Sequence, residues 1–283
     1  MKRKNELQRR LRSLQTLRTA VNALKSISAR HFRETRRDIE PANVYRDAVE
    51  QIAAWSGVHL AAGDGPAGML VIGGELGLCG GYNSRIVAAA VDRRLERGPG
   101  PTLCVGHRSA AMLRRRRVDL TAVYAMPTSV DGITRALLPL AEAILGTYAG
   151  LGLKSLDAVS SVFTGVGSHV PHAIRMLPIA APVSPDAPAV RFVPDDQLAA
   201  AAARELLYIR IYDLLLDAMA CEHSARLVAS QAAEGWLDQR RDQLERQLAS
   251  TRREASTQEV LEIAAGARAR RRQLPGQESN LLR

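Results

Sequence analysis

The sequence has few aromatic residues, no paired cysteine motifs and no long apolar runs. Phe, Trp and Tyr make up only 4% of its 283 residues, which argues against a surface built on aromatic stacking. No window approaches the roughly 20 apolar residues of a membrane-spanning helix, and arginines interrupt residues 1–12, which excludes a secretory signal. Cys79, Cys104 and Cys221 form no CxxC pair and are expected to be free thiols. We therefore expect a soluble protein of a reducing compartment.

Proline and glycine are also scarce at both ends of the chain. Residues 1–40 contain neither, and between Asp195 and Leu274 only Gly235 and Gly266 occur. Because these two residue types interrupt long helices, their absence predicts a helix over residues 1–58 and a second over residues 195–274. Pro41 is expected to kink the first helix and Gly57 to end it. Residues 275–283 are predicted to be a flexible tail.

The first helix carries a narrow apolar stripe at spacings of three and four residues. Its members are Leu7, Leu11, Leu14, Leu17, Val21, Leu24 and Ile27. The other faces are strongly basic, so the stripe suits a coiled-coil seam better than a wide core face. A helix of about 75 residues spans on the order of 110 Å, which exceeds a compact domain, so each long helix needs the other as a partner. The pair is predicted to be antiparallel because a folded middle returns the chain to its start.

The middle of the chain, residues 66–192, alternates between strand and helix patterns. Predicted strands cover 69–72, 102–105, 118–125, 159–166 and 173–179, and predicted helices cover 85–97, 107–116 and 133–151. This alternation indicates a mostly parallel sheet covered by helices, with the last two strands adjacent. The predicted fold class is therefore α/β: a Rossmann-like domain inserted between two long coiled-coil helices.

A glycine-rich segment, residues 73–83, follows the first predicted strand and precedes a helix. Phosphate-binding loops occupy this position, and Gly74, Gly77 and Gly80 form a loose G-x-x-G-x-x-G pattern. The segment lacks both the G-x-G-x-x-G fingerprint and the GK[ST] ending of a P-loop. We interpret it as a structural turn that needs glycine for its backbone conformation. A nucleotide-binding enzyme with helical oligomerisation arms remains the alternative.

No other catalytic, cofactor-binding or metal site is predicted. The six histidines show no HExxH pattern, Cys79 has no His placed to activate it, and no carboxylate pair suits acid–base catalysis. The net charge of +10 indicates an acidic partner. Arginines cluster at Arg114–Arg117 and at Arg268–Arg272, but with so few aromatics an acidic protein fits them better than a nucleic acid.

Five segments, taken together, resemble the gamma subunit of F-type ATP synthases. Arg10–Gln15 is similar to the opening R-I-K-S-V-x, and His31–Arg33 stands where the family has K-M-R. Gly77–Asn83 matches G-L-C-G-G-x-N. Glu222–Ala233 resembles E-x-x-A-R-M-x-A-M-x-x-A, and Arg252–Ala267 resembles R-x-x-x-x-T-Q-E-x-x-E-I-x-x-G-A. The resemblance spans nearly the whole chain in the family's order.

The resemblance implies a rotor function without bond chemistry and without a cofactor. In the family, an ion-driven membrane ring turns an antiparallel coiled coil inside a hexamer of alpha and beta subunits, and each beta site changes state in turn. The implied partners are the alpha, beta and epsilon subunits and the membrane c-ring, with no nucleic acid and no small-molecule substrate. The implied location is peripheral, on the cytoplasmic face of the bacterial inner membrane.

The matching positions give candidate contact and loop residues. Contacts with the beta subunit are expected at Arg252, Arg253, Thr257, Gln258, Glu259 and His31. Structural roles in the glycine loop are expected for Gly77, Gly80, Gly81 and Asn83. The chain departs from the family at Arg253, where Gln is usual, at His31, where Lys is usual, and in the extra residues 268–283. These departures suggest a divergent member, from a second, alternative ATPase of a bacterium.

Overall fold

A computed structural model of the protein describes residues 2–58, 62–179, 184 and 193–273. The helices are α1 (Lys2–Ser56), α2 (Tyr82–Arg97), α3 (His107–Arg115), α4 (Val130–Gly150) and α5 (Asp195–Gln273). The strands are β1 (Gly65–Ile72), β2 (Thr102–Val105), β3 (Ala122–Tyr124), β4 (Leu153–Gly165) and β5 (Ser168–Leu177). The tail expected at 275–283 lies outside the described residues. None of the described helices is apolar over a length that would cross a membrane.

The chain divides into two compact units. The smaller unit combines Met1–Asn22 with Ala232–Arg283, and the larger unit is Ala23–Gln231. The larger unit holds the sheet, in the order β3-β2-β1-β4-β5. β1 pairs in parallel with β2 and β4, and β2 in parallel with β3, whereas β4 and β5 are antiparallel. The prediction of a mostly parallel α/β sheet is therefore confirmed.

Alternate residues of the central strands face two different cores. Leu70 and Ile72 of β1 belong to one buried cluster, which α4 and residues 202–219 of α5 cover. Met69 and Val71 belong to a second cluster, which α2 and α3 cover. Successive side chains of a strand point to opposite faces of the sheet. Because helices cover both faces here, every residue of β1 in this run is buried, which explains why the run is continuously apolar.

Both long helices form as expected, and each unit contains an antiparallel stretch of them. In the larger unit, Arg46 pairs with Asp213 at 2.9 Å and the ring of His31 stacks on that of His223. In the smaller unit, Arg18 pairs with Asp238 at 3.1 Å, and a leucine seam closes the helix pair. The seam consists of Leu7, Leu11, Leu14, Leu244 and Leu248. α1 runs without a break through Pro41 and ends before Gly57, whose φ is 66°.

Several element boundaries differ from those predicted. β3 begins at Ala122 instead of Val118, because the amide of Val118 donates to the carbonyl of Leu113 and so closes α3. α4 begins at Val130 instead of Ile133, because the Ser129 side chain caps it by accepting from the amide of Gly132 at 3.1 Å. β4 and β5 are longer than expected and lie side by side. The extra residues include polar ones, so the apolar pattern in the sequence did not extend over them.

Candidate functional site

The glycine loop, residues 73–83, connects β1 to α2 in the larger unit. Two of its residues adopt left-handed backbone conformations, Leu78 with φ 58° and Gly80 with φ 56°. Gly81 is the N-terminal cap of α2. Gly73 lies so close to α3 that a Cβ atom there would sit 2.0 Å from Oγ of Ser109. At Gly77, by contrast, a Cβ atom would meet nothing within 4 Å.

Asn83 braces the glycine loop from within. Its Oδ1 accepts from the amide of Gly74 and from the hydroxyl of Ser109, both at 2.8 Å. Its Nδ2 donates to the carbonyl of Leu76 at 3.4 Å and lies 3.3 Å from Sγ of Cys79. The side chain is buried and water cannot reach its polar atoms, so these protein groups supply their hydrogen bonds. Asn83 therefore holds both ends of the loop and the start of α3 together.

Glu222 and Arg226 of α5 brace the same loop from outside. The two side chains form an ion pair one helical turn apart, and both residues are buried, at 5% and 2% exposure. The carboxylate of Glu222 accepts from the amides of Glu75 and Leu76, each at 3.4 Å. Nε of Arg226 donates to the carbonyl of Gly77 at 3.3 Å. A charged pair from the long helix is thus bonded to the backbone of the loop.

The Glu75 carboxylate binds the start of α3. It accepts from the amide of His107 at 3.1 Å and from the amide of Met126 at 2.9 Å, and Nδ1 of His107 lies 2.7 Å away. Burial raises the pKa of Glu75, but the hydrogen bonds from Met126 and His107 outweigh burial and leave the pKa below its usual value. The negative carboxylate is also favoured at the positive end of a helix dipole.

These contacts determine what chemistry the loop supports. In a nucleotide-binding α/β domain, amides at the ends of the first strands and at helix N-termini bind phosphates. Here the amides of Glu75, Leu76 and His107 already donate to carboxylates of the chain itself. In the described residues, no group of three or more His, Cys, Asp or Glu side chains is placed to hold a metal ion. The geometry favours a structural clamp over the nucleotide-binding alternative.

The three cysteines lie in buried positions of the larger unit. Burial raises the pKa of all three thiols, that of Cys104 to about 12. A raised pKa keeps the thiol protonated at neutral pH, and a protonated thiol is a poor nucleophile. Cys79 thus serves as a packing residue of the glycine loop.

His31, a candidate contact residue, lies next to this clamp. Its ring stacks on that of His223 with 5.1 Å between centroids, and its Nδ1 is 3.2 Å from a carboxylate oxygen of Glu34. His223 in turn lies 3.2 Å from a guanidinium nitrogen of Arg226. Burial, and then the nearby Arg226, lower the pKa of His223 to about 3, so its ring is neutral. The structure therefore joins His31 to the glycine loop through His223 and Arg226.

The other candidate contacts lie in the smaller unit, on the exposed end of α5. Arg252, Arg253, Thr257, Gln258 and Glu259 are all exposed. Thr257 donates to the carbonyl of Arg253 at 3.0 Å, and Gln258 to Glu262 at 3.2 Å, so their bonds stay within the helix. Ile263, only a few residues farther along, is 73% exposed. The side chains of this stretch are thus free to meet a partner.

From the sequence, Glu222 and Arg226 were noted only as positions of a family motif, and no function was predicted for Glu75. A signal for the first two was present. A glutamate and an arginine four residues apart interrupt a stretch, 218–229, whose other residues are apolar or small apart from His223, and unpaired charges are too costly to bury there. For Glu75 no such signal exists, because its partners His107 and Met126 are distant in sequence.

Comparison with known proteins places nearly the whole chain in one family. The family model described as ATP synthase matches residues 3–269. The ATP synthase gamma chain of Moorella thermoacetica is 28% identical and is matched over 93% of this chain and 97% of its own. That of Saccharopolyspora erythraea is 27% identical over 93% and 96%.

Solved structures share the fold. A chain of the Euglena gracilis mitochondrial ATP synthase, in an assembly of OSCP, F1 and c-ring, superposes with a TM-score of 0.69 over 98% of both chains, at 12% identity. A chain of the Tetrahymena thermophila mitochondrial ATP synthase central stalk and c-ring has a TM-score of 0.57 at 18% identity. That match covers 76% of this chain and 99% of the other. Since its family model and full-length relatives agree, the chain belongs to the ATP synthase family, as a relative of its gamma chains.

Proposed function

We propose that the protein is the central-stalk rotor of an F-type ATP synthase. It would transmit torque between an ion-driven membrane c-ring and a catalytic hexamer of alpha and beta subunits. The full-length similarity to bacterial gamma chains supports this function. The fold that the chain shares with a chain of the Tetrahymena thermophila central stalk and c-ring supports it as well.

The observation that carries the proposal is the attachment of α5 to the sheet domain. α5 is one helix of 79 residues, and in the larger unit its Glu222 and Arg226 are bonded to the backbone of the glycine loop. A torque on the sheet domain would reach the helix through buried, charge-assisted hydrogen bonds, which are stronger than neutral ones. A shaft needs such a rigid joint, whereas helical arms used only for oligomerisation do not.

The proposal assigns separate tasks to parts of the chain. Residues 1–58 and 195–274 would form the shaft, and residues 66–192 the base that meets the epsilon subunit and the c-ring. Contacts with the beta subunit are proposed for Arg252, Arg253, Thr257, Gln258 and Glu259, whose exposure supports this. His31 is proposed as a further contact, made through the 14% of its side chain that stays exposed.

The chain would have no catalytic residues of its own. The burial of its three thiols and the use of Glu75 and Glu222 as backbone acceptors support this assignment. The bacterial origin of the relatives supports a peripheral location on the cytoplasmic face of the inner membrane.

Co-purification tests the proposal. The chain is mixed with the alpha and beta subunits of its own organism, and the complex is isolated and assayed for ATP hydrolysis with and without the chain. One copy that elutes with the hexamer, together with turnover that depends on the chain, supports the rotor. If the chain elutes alone and instead binds a nucleotide saturably, the enzyme alternative is correct.

A further inference from the structure

A buried carboxylate beside the edge strand of the sheet contacts three arginines. Asp157 of β4 is 1% exposed. Nε of Arg93 and Nε of Arg97, both on α2, each lie 2.8 Å from its Oδ2, and Nε of Arg175 on β5 donates to its Oδ1. Burial raises the pKa of Asp157, but the hydrogen bond and the charge of Arg175 outweigh burial and leave the pKa below its usual value. These four residues, the Asp157 cluster, therefore contain one ionised carboxylate at neutral pH.

The Asp157 cluster carries more positive than negative charge. Within the described residues, Glu96 is the one further carboxylate bonded to it, 2.8 Å from Arg93, and the side chain of Glu96 is 62% exposed. Arg94 adds a cation close to Asp157, and its guanidinium donates to uncharged oxygens. The three arginines of the cluster and Arg94 thus face two carboxylates, which leaves an excess of two positive charges.

Helix-end electrostatics explain only part of this arrangement. Arg94 and Arg97 lie in the last turn of α2, where the helix dipole favours cations. Arg175, however, comes from β5, a separate element that the fold brings to the same carboxylate. Guanidinium groups gathered in this way repel one another unless anions balance them. The excess is therefore a property of the tertiary fold, and a further anion would relieve it.

Two of the guanidinium groups have nitrogen atoms to spare. Arg97 and Arg175 reach Asp157 through Nε, and their terminal nitrogens form no hydrogen bond within the part of the chain that the structure describes. Their side chains are 35% and 40% exposed, so an ion from solvent can reach them. Because the two groups bond to the two oxygens of one carboxylate, they are held close to each other.

A phosphate group matches both the spare donors and the excess charge. Its oxygens accept paired N–H bonds from the planar fork of a guanidinium, a geometry that chloride cannot use. At neutral pH a phosphoryl group carries about −1.5 to −2 charges, which balances the excess of two, whereas a single carboxylate would balance only half of it.

We propose that the Asp157 cluster binds a phosphate group through Arg97 and Arg175. The free ion and the headgroup of a phospholipid present the same oxyanion, and the experiment below distinguishes them. A bound phosphate would link the last turn of α2 to the edge strand β5. This inference goes beyond the rotor function and does not depend on it, so the failure of either proposal leaves the other unaffected.

Thermal unfolding of the full chain tests the inference. Sodium phosphate is compared with sodium chloride at equal ionic strength and pH. For a dissociation constant on the order of 1 mM, phosphate at about 10 mM should raise the Tm by about 3–6 °C. Because phosphate also stabilises proteins by its exclusion from their surface, the comparison of variants decides the result.

The variants change one guanidinium at a time. Arg97→Gln removes charge and fork and should abolish most of the phosphate-dependent shift in Tm. Arg97→Lys keeps the charge without the fork and should retain about half of the shift, and it replaces Arg97→Gln if that variant does not fold. Arg108→Gln is the matched control, because Arg108 is an exposed arginine of α3 outside the cluster, and it should leave the shift unchanged.

Vesicles distinguish the two sources of phosphate. The chain and its variants are sedimented with vesicles of phosphatidylglycerol or of phosphatidylcholine. If Arg97→Gln weakens binding to phosphatidylglycerol more than Arg108→Gln does, the bound group is a lipid headgroup. If the two variants bind vesicles equally and only Arg97→Gln loses the shift in free phosphate, the bound group is the free ion. Equal shifts in Tm and equal vesicle binding of the two variants would overturn the proposal.

Discussion

Arg226 and Glu222, one turn apart on α5, form a buried ion pair whose two members hold opposite ends of a short stretch of the glycine loop. Glu222 accepts from the amides of Glu75 and Leu76, and Arg226 donates to the carbonyl of Gly77. The pair therefore links the long helix to the sheet domain within one cooperative hydrogen-bond network. It also occupies backbone amides that a phosphate-binding loop would need to have available.

Glu222→Gln is expected to destabilise the chain strongly. The substitution leaves the guanidinium of Arg226, at 2% exposure, without its charged partner, and breaking a buried pair in this way costs about 3–5 kcal/mol. Thermal unfolding followed by circular dichroism measures the loss. Glu245→Gln is the control, because the side chain of Glu245 is 58% exposed, and its effect should stay within about 0.5 kcal/mol. Equal effects of the two variants would contradict the clamp.

Asn83→Ala tests the inner brace of the loop. It leaves the amide of Gly74 and the hydroxyl of Ser109 without their acceptor, at a cost of about 1–3 kcal/mol. Denaturant unfolding gives the free energy of unfolding, and Asn22→Ala, at an exposed position of α1, serves as the control. An unchanged unfolding midpoint for Asn83→Ala would show that the loop does not depend on this side chain.

Substitution by alanine is expected to lower stability at Gly106 but to have little effect at Gly77. Gly106 has φ 105°, and a Cβ atom there would lie 2.4 Å from the carbonyl oxygen of Gly73. Gly106→Ala should therefore cost about 1–3 kcal/mol from backbone strain alone. Gly77→Ala meets nothing within 4 Å, and its effect should stay within about 0.5 kcal/mol. The free energy of unfolding is measured for both variants. A larger loss of stability for Gly77→Ala than for Gly106→Ala would contradict the structure.

Asp217 gives a pH dependence of known sign. Burial and then the carboxylate of Asp213 raise its pKa to about 6, although Arg36 and Arg46 lower it. The cleft that it faces also contains Glu50 and Arg210 of the helices and His172 and Arg175 of β5. A raised carboxyl pKa means that the folded state binds the proton more tightly than the unfolded state. The contribution of Asp217 to stability is therefore lost as the pH rises from about 4 to about 6.

Asp217→Asn isolates that contribution. Above pH 7 the variant should be more stable than the parent by about 3 kcal/mol, and near pH 4 the two should be equal. Unfolding at a series of pH values measures the difference, with Asp119→Asn, an exposed position, as the control. A difference that is independent of pH would contradict the assignment.

Gln258→Ala tests the proposed contact surface on α5. Gln258 is exposed and, within the part of the chain that the structure describes, its side chain bonds only to Glu262 of its own helix. The variant chain should therefore unfold within about 0.5 kcal/mol of the parent. In the assembled complex it should lower ATP turnover, since loss of a central interface contact costs about 1 kcal/mol or more. Gln239→Ala on the same helix is the control. Unchanged turnover for Gln258→Ala would remove this residue from the contact surface.

The fold was predictable because its signals are local and periodic. The scarcity of Pro and Gly marked α1 and α5, and the apolar run 69–72 marked β1. The hydrogen bond from Val118 to Leu113, which delays the start of β3, and the extra length of β4 are not visible in the sequence pattern, which therefore misplaced those boundaries.

The candidate site was predictable only in part. The motif match identified the loop residues Gly77–Asn83 and the exposed stretch 252–259, because both are continuous in sequence. The clamp on that loop joins Glu75 to His107 and Met126, and Glu222 to Leu76 across 146 residues. No periodicity connects such pairs, and only the folded chain brings them together.

ATP-driven rotation tests the central claim most directly. The three native cysteines are buried, so Arg115→Cys, at an exposed position of α3, provides a single accessible thiol for a visible probe. The labelled chain is assembled with alpha and beta subunits fixed to a surface, and the probe is followed after ATP is added. We predict stepwise rotation in one direction that stops when ATP is removed. A probe that stays still while the hexamer hydrolyses ATP at an undiminished rate would contradict the rotor function.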